Sequence, residues 1–135
     1  MQVSNDKEEE INKLKNTIKQ WIIRSNENLT IPNNIIALNY GIQRVCTGYE
    51  IYLSGHDEYC EDHDTWLLDS SFEIEESFFS LGGESLKIGR LEMMDIYRNM
   101  IIHLINSHQL KYPTNIKVIS VCDSNGYPEL VQNKI

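Results

Sequence analysis

Nine consecutive residues, His56-Asp57-Glu58-Tyr59-Cys60-Glu61-Asp62-His63-Asp64, hold two imidazoles, a thiol and five carboxylates. Imidazole, thiolate and carboxylate are the donors zinc takes, so His56, Cys60 and His63 with one carboxylate could complete a tetrahedral set. Short zinc loops, however, join a Cys-x2-Cys or His-x3-His pair to a distant second pair. No second pair follows here, and His103 and His108 fall on a predicted helix. The D-x-[DN]-x-[DN]-G pattern of calcium loops is not matched either. Cys60 beside His56 or His63 has the residue types of a thiol nucleophile and its base. An anionic sulfur is favoured by positive surroundings, though, and five carboxylates are poor neighbours for it. Two of these acids could be paired on paper for glycoside hydrolysis, but so could any two carboxylates, and the spacing selects none.

Other catalytic signatures are absent: the chain has no GxSxG, Walker loop, GxGxxG or HExxH. Gly82-Gly83, followed by Lys87 and Arg90, has the composition of a phosphate nest. A turn into the next element is the simpler use of a glycine pair. The expectation is a non-enzymatic protein without a cofactor.

Charge is distributed more tellingly than any motif. Twenty acids against 12 Lys and Arg give the 135 residues a formal charge of −8. Between Arg44 and Lys87 no Lys or Arg occurs, while Glu50, Asp57, Glu58, Glu61, Asp62, Asp64, Asp69, Glu73, Glu75, Glu76 and Glu84 all do. Tyr49, Tyr52, Tyr59, Trp66, Phe72, Phe78 and Phe79 share that interval. Nucleic acid is excluded as partner, since phosphate binding needs clustered bases. Acids that steer and aromatics that anchor suit a basic protein instead. In that reading Asp57, Glu58, Glu61, Asp62 and Asp64 meet the partner's cationic groups, and Tyr59 and Trp66 fill pockets between them. A solvated, solubilising surface is the plain alternative.

The elements that must position this segment follow from periodicity. Ile11, Leu14, Ile18, Trp21 and Ser25 step by three and four, with Ile22 beside them, so residues 7–28 read as a helix and residues 1–6 as a frayed start. Its stripe should dock on a sheet; a homodimer or a place in a larger complex through that stripe is the alternative. Ile36, Leu38, Tyr40 and Ile42 alternate with Ala37, Asn39, Gly41 and Gln43. After Cys46-Thr47-Gly48 the alternation resumes in Tyr49, Ile51 and Leu53, which reads as an antiparallel hairpin. Residues 54–83 should fold back on the sheet, with a short strand around 71–74. Residues 91–109 form a second, more buried helix through Met93, Tyr97, Met100 and Leu104 with Met94, Ile101 and Ile105, barred from continuing by Pro113. The β-branched run Ile116 to Val121 is a strand covered on both faces. Asp123-Ser124-Asn125-Gly126 is a turn, and Tyr127 to Val131 an edge strand. The fold class is α+β: one domain over 1–135, an antiparallel or mixed sheet with two main helices packed on it.

No apolar run approaches the length of a membrane span, and MQVSNDKEEE carries no signal-peptide core, so a cytoplasmic location is expected. Cys46, Cys60 and Cys122 are odd in number and scattered, so they should be free thiols.

The runs Ile36-Ala37-Leu38-Asn39-Tyr40-Gly41-Ile42, Gly48-Tyr49-Glu50-Ile51-Tyr52-Leu53-Ser54-Gly55 and Tyr59-Cys60-Glu61-Asp62-His63-Asp64-Thr65-Trp66 span the middle third of the chain. In general pattern they resemble small bacterial immunity proteins of polymorphic and contact-dependent toxin systems. The resemblance implies an acidic, cytoplasmic, non-enzymatic protein that binds a cognate toxin domain, often a basic nuclease, and covers its active site.

Overall fold

The computed structural model describes residues 3–62, 65–67, 72–73, 78–123 and 128–135. Helix α1 (Val3–Glu27) leads into strands β1 (Ala37–Val45) and β2 (Gly48–His56). A single 3-10 turn (Thr65–Leu67) and two-residue strands β3 (Phe72–Glu73) and β4 (Phe79–Ser80) follow. A second 3-10 turn (Gly83–Lys87), helix α2 (Arg90–Asn106), β5 (Val118–Asp123) and β6 (Glu129–Asn133) complete the chain. The sheet is mixed, ordered β3-β2-β1-β5-β6, with β4 also pairing β2. The α+β expectation is met, with both helices against the sheet.

The hairpin forms where alternation predicted it, Val45 facing Gly48 across Cys46-Thr47. Gly48 has φ +134, and a Cβ there would run into the Gly82 carbonyl, so this turn needs glycine. Strand β5 then adds parallel to β1, Ala37 beside Val118 and Ile42 beside Asp123. Parallel pairing requires a crossover, which α2 supplies.

One face of the sheet carries Leu38, Tyr40, Ile42, Tyr49, Ile51, Leu53, Ile119 and Val121. Leu14, Ile18, Trp21 and Ile22 of α1 and Met93, Ile96, Tyr97, Ile101 and Leu104 of α2 close over it. The α1 stripe is thereby taken up by the domain's own core, not left for a second helix. At about 1.5–3 kcal/mol for each fully buried large side chain, this layer dominates the stability. Met100 is partly exposed and Ile96 buried, so the inward face of α2 is turned slightly from the predicted row.

Several boundaries differ from expectation. Helix α1 starts at Val3, so residues 3–6 are helical where fraying was expected. Helix α2 stops at Asn106, well before Pro113. His108 takes the left-handed conformation (φ 59), while the His108 and Gln109 amides donate to the Ile105 and Leu104 carbonyls. This is a Schellman end with histidine where glycine is usual, and it places His108 beyond the helix. Strand β5 runs from Val118 through Asp123, the first residue of the expected turn, and β6 begins at Glu129; residues 124–127 lie outside the described residues.

Two asparagines tie the layers together. Asn26 of α1 donates from Nδ2 to the Lys111 carbonyl and accepts from the Lys111 amide, both at 2.9 Å. Asn115 donates to the Ile35 carbonyl at 2.7 Å.

In the main core Tyr40 and Tyr112 share a hydroxyl–hydroxyl bond of 2.5 Å, and Tyr40 meets Tyr97 and Trp21 edge-on. Burial, then the Tyr112 and Tyr97 hydroxyls, pushes Tyr40 well above the ordinary tyrosine value. Burial, then Tyr52 and Tyr112, does the same to Tyr97. Burial pushes Tyr112 up to about 12 against the opposing bond from Tyr40. These phenols hold protons in the fold that the unfolded chain sheds near pH 10, so the folded state is the more protonated at high pH. Their contribution is complete below pH 10 and is lost as pH rises from about 10 through about 12. Tyrosinate absorbance should therefore rise cooperatively with loss of circular dichroism. Ionisation of all seven tyrosines near pH 10 with the fold intact would contradict this.

Candidate acidic interface

The register places Ala37, Asn39 and Gly41 of β1, His56, Ser54 and Tyr52 of β2, and Val118, Ser120 and Cys122 of β5 together on the second face. β1 is thus buried on both sides. Small residues dominate this face, and it is layered along the strands. At one end Ala37 and Val118 form a small apolar cluster with Trp66, against which Ile36, Tyr59 and Leu67 pack. In the middle, the Ser120 hydroxyl donates to Asn39 Oδ1 at 2.9 Å, and Ser54 and His56 Nε2 share a hydrogen bond of 2.8 Å. At the other end Tyr52 lies across Gly41, where a Cβ would overlap its ring, and Phe78 packs on Tyr52 at 5.3 Å between centroids. Sequence reasoning missed this polar row. Its signal was present as small polar residues on alternate positions of three strands.

The loop after β2 carries the predicted partner-binding residues over the apolar end. Asp57, Glu58, Glu61 and Asp62 are exposed, and among the described residues none of the four is in a salt bridge. Asp64 lies outside the described residues, as do Asp69, Glu75 and Glu76. Glu50 accepts from Gln43 at 2.9 Å and Glu84 pairs with Lys87 at 2.7 Å, so these two acids have internal uses.

Trp66 has a different place from the predicted one. Trp66 is 4% exposed, packed edge-on against His56 at 5.1 Å and Tyr59 at 5.2 Å between centroids. In this arrangement the indole is part of the protein's own second core and is not presented to a partner. Tyr59 is partly exposed; burial, then the Glu61 carboxylate and Cys60, raises its phenol above the usual value. The two rings anchor the loop and leave its carboxylates outside.

His56 is 1% exposed and bonded to Ser54, Cys60 is partly exposed on the loop, and His63 lies outside the described residues. Among the described residues no three His, Cys, Asp or Glu side chains converge on a point that could hold a metal ion. Ser54 and His56 have the separation of a nucleophile–base pair. Both are nearly fully buried at the sheet, where their bond satisfies polar groups that would otherwise be costly.

The glycine pair is a turn. The Ser85 hydroxyl donates to the Gly82 carbonyl at 2.6 Å and accepts from the Tyr49 amide at 3.0 Å, latching the second 3-10 turn to β2. Lys87 is paired with Glu84 and Glu10, and Arg90 with Asp123 at 2.9 Å. The cations a phosphate nest would use are already paired.

None of the three cysteines is in a disulfide, with Cys46 exposed in the hairpin turn, Cys60 intermediate and Cys122 buried. Under denaturing, non-reducing conditions three thiols should titrate. In the native protein Cys46 should react first, and Cys122 only on unfolding. A count of one would reveal a disulfide.

No protein-family model, curated protein or solved structure matches the chain. Among the described residues no helix is long and apolar enough to cross a membrane.

Proposed function

We propose that this chain is a non-enzymatic, protein-binding inhibitor of the immunity type, whose acidic loop covers the cationic site of a cognate toxin domain. The observation that carries this reading is the loop itself. Asp57, Glu58, Glu61 and Asp62 are exposed and unpaired among the described residues, on a segment held from beneath by Trp66 and Tyr59. Unpaired carboxylates on an anchored loop attract a basic partner with little ordering left to do on binding, which favours affinity. The resemblance of the middle third to immunity proteins points the same way. The main bases of α1, Lys13, Lys15, Lys19 and Arg24, belong to the helix packed on the opposite face of the sheet. They leave the field around the loop negative.

The test is surface plasmon resonance against the protein encoded by the neighbouring gene. Converting Asp57 and Asp62 to Asn and Glu58 and Glu61 to Gln should slow association about tenfold or more and flatten its salt dependence. Dissociation should change less, because exposed charges act over a screening length of ~8 Å and steer encounter more than they hold the complex. A wild-type association rate in the folded quadruple variant would remove the loop from the mechanism. Failure to bind the neighbouring product at all would remove the immunity reading.

A further inference from the structure

The two edges of the sheet are treated differently. The outer side of β2 is covered by β3 at Ser54 and Gly55 and by β4 at Glu50 and Ile51. β6 pairs with β5 on its inner side, and among the described residues no strand pairs with its outer side. An open edge presents a row of backbone donors and acceptors that another strand can take up. Natural edges are usually blunted by Pro or Lys within the strand, but Pro128 and Lys134 stand just outside Glu129-Leu130-Val131-Gln132-Asn133. The ladder also reaches past the strand's end, the Lys134 amide donating to the Lys117 carbonyl at 2.8 Å. A register shift at Val131 turns that side chain toward the core, whereas Leu130 is 41% exposed beside this edge.

We propose that the outer edge of β6 pairs antiparallel with β6 of a second copy of this chain, joining two sheets into one across a two-fold axis. The charge order selects this occupant. With Glu129 opposite Lys134 of the second copy, Leu130 falls opposite Asn133 and Val131 opposite Gln132. The same ion pair forms twice, and no like charges face each other. A two-fold interface requires a self-complementary strand, and opposite charges placed symmetrically about its centre are one way to meet that requirement. Residues 129–134 have that order: acid first, base last, no charge between. Glu129 already accepts from Arg98 at 2.9 Å, which fixes the acid at the edge while its second oxygen stays available. Opposite charges facing across strands stabilise pairing and like charges oppose it. The inference does not rest on the acidic loop, and the dimer leaves that loop's carboxylates free.

Sedimentation equilibrium of the full chain, from micromolar to millimolar concentration, tests it. The wild type should dimerise reversibly. Lys134→Glu, which sets Glu opposite Glu twice, should weaken dimerisation about tenfold or more. Combining it with Glu129→Lys should restore much of the affinity by exchanging the two charges. Because Glu129→Lys also gives up the Arg98 pair, amide exchange of the wild type provides a second measure: protection across residues 129–134 should rise with protein concentration. A wild type monomeric throughout overturns the proposal. So does a dimer indifferent to Lys134→Glu, or one whose concentration-dependent protection lies elsewhere, since either would place the interface on another surface.

Discussion

Ile18→Asp is expected to unfold the protein or bring it close to unfolding. Ile18 is fully buried where α1 crosses the sheet, in the same cluster as Leu38, Tyr40 and Ile51. The substitution removes a large apolar side chain and places a carboxylate inside the apolar cluster. Loss of the apolar contacts and burial of an unpaired charge together should cost about 4 kcal/mol or more. Domains of this size hold about 5–15 kcal/mol in all. Denaturant melting followed by circular dichroism reads the effect directly. Ile18→Ala provides the graded control, at about 2–5 kcal/mol. An unchanged melting curve for Ile18→Asp would mean that α1 detaches from the sheet at little cost. The stripe would then be open to another helix.

Trp66→Ala should have the second largest effect, and a more local one. The indole joins Ala37 and Val118 beneath the acidic loop and stacks edge-on with His56 and Tyr59. Truncating a buried Trp to Ala costs about 3–5 kcal/mol where the surroundings cannot collapse. A loop can partly close over the gap, so the lower end is expected. Amide exchange at residues 57–62 should accelerate most, while the β1–β5 ladder keeps its protection, because the main core lies across the sheet. If the proposed function holds, binding to the partner should weaken as well, through an association slowed by loss of loop order. Trp66→Phe should recover part of each effect by refilling the cluster. If Trp66→Ala leaves exchange and stability unchanged but accelerates dissociation alone, the ring is a contact and not an anchor.

The opposite readings of Trp66 mark the boundary between local and tertiary information. A helix stripe at Ile11, Leu14, Ile18 and Trp21 and the alternation around Gly48 are encoded within a few residues, because each element must turn one side inward whatever lies opposite. For that reason α1, the β1–β2 hairpin, β5 and the α+β class were all legible. The stop of α2 was less so. Pro113 is the visible breaker, yet His108 ends the helix sooner, since capping depends on which backbone conformation the following loop imposes. The acidic character of residues 57–62 was legible too, charge being a property of composition.

What the tertiary structure alone decided is which surfaces face one another. Parallel pairing of β1 and β5 brings Ala37 and Val118 side by side and creates the apolar patch that captures Trp66. The same register gathers Asn39, Ser54 and Ser120 into one polar row from three separated strands. It also leaves β6 as the open edge. The β1–β5 contacts have no local signature, because they join residues about eighty positions apart whose meeting depends on strand order. A sequence specifies which side chains must leave water; the register of the sheet determines against what they are buried.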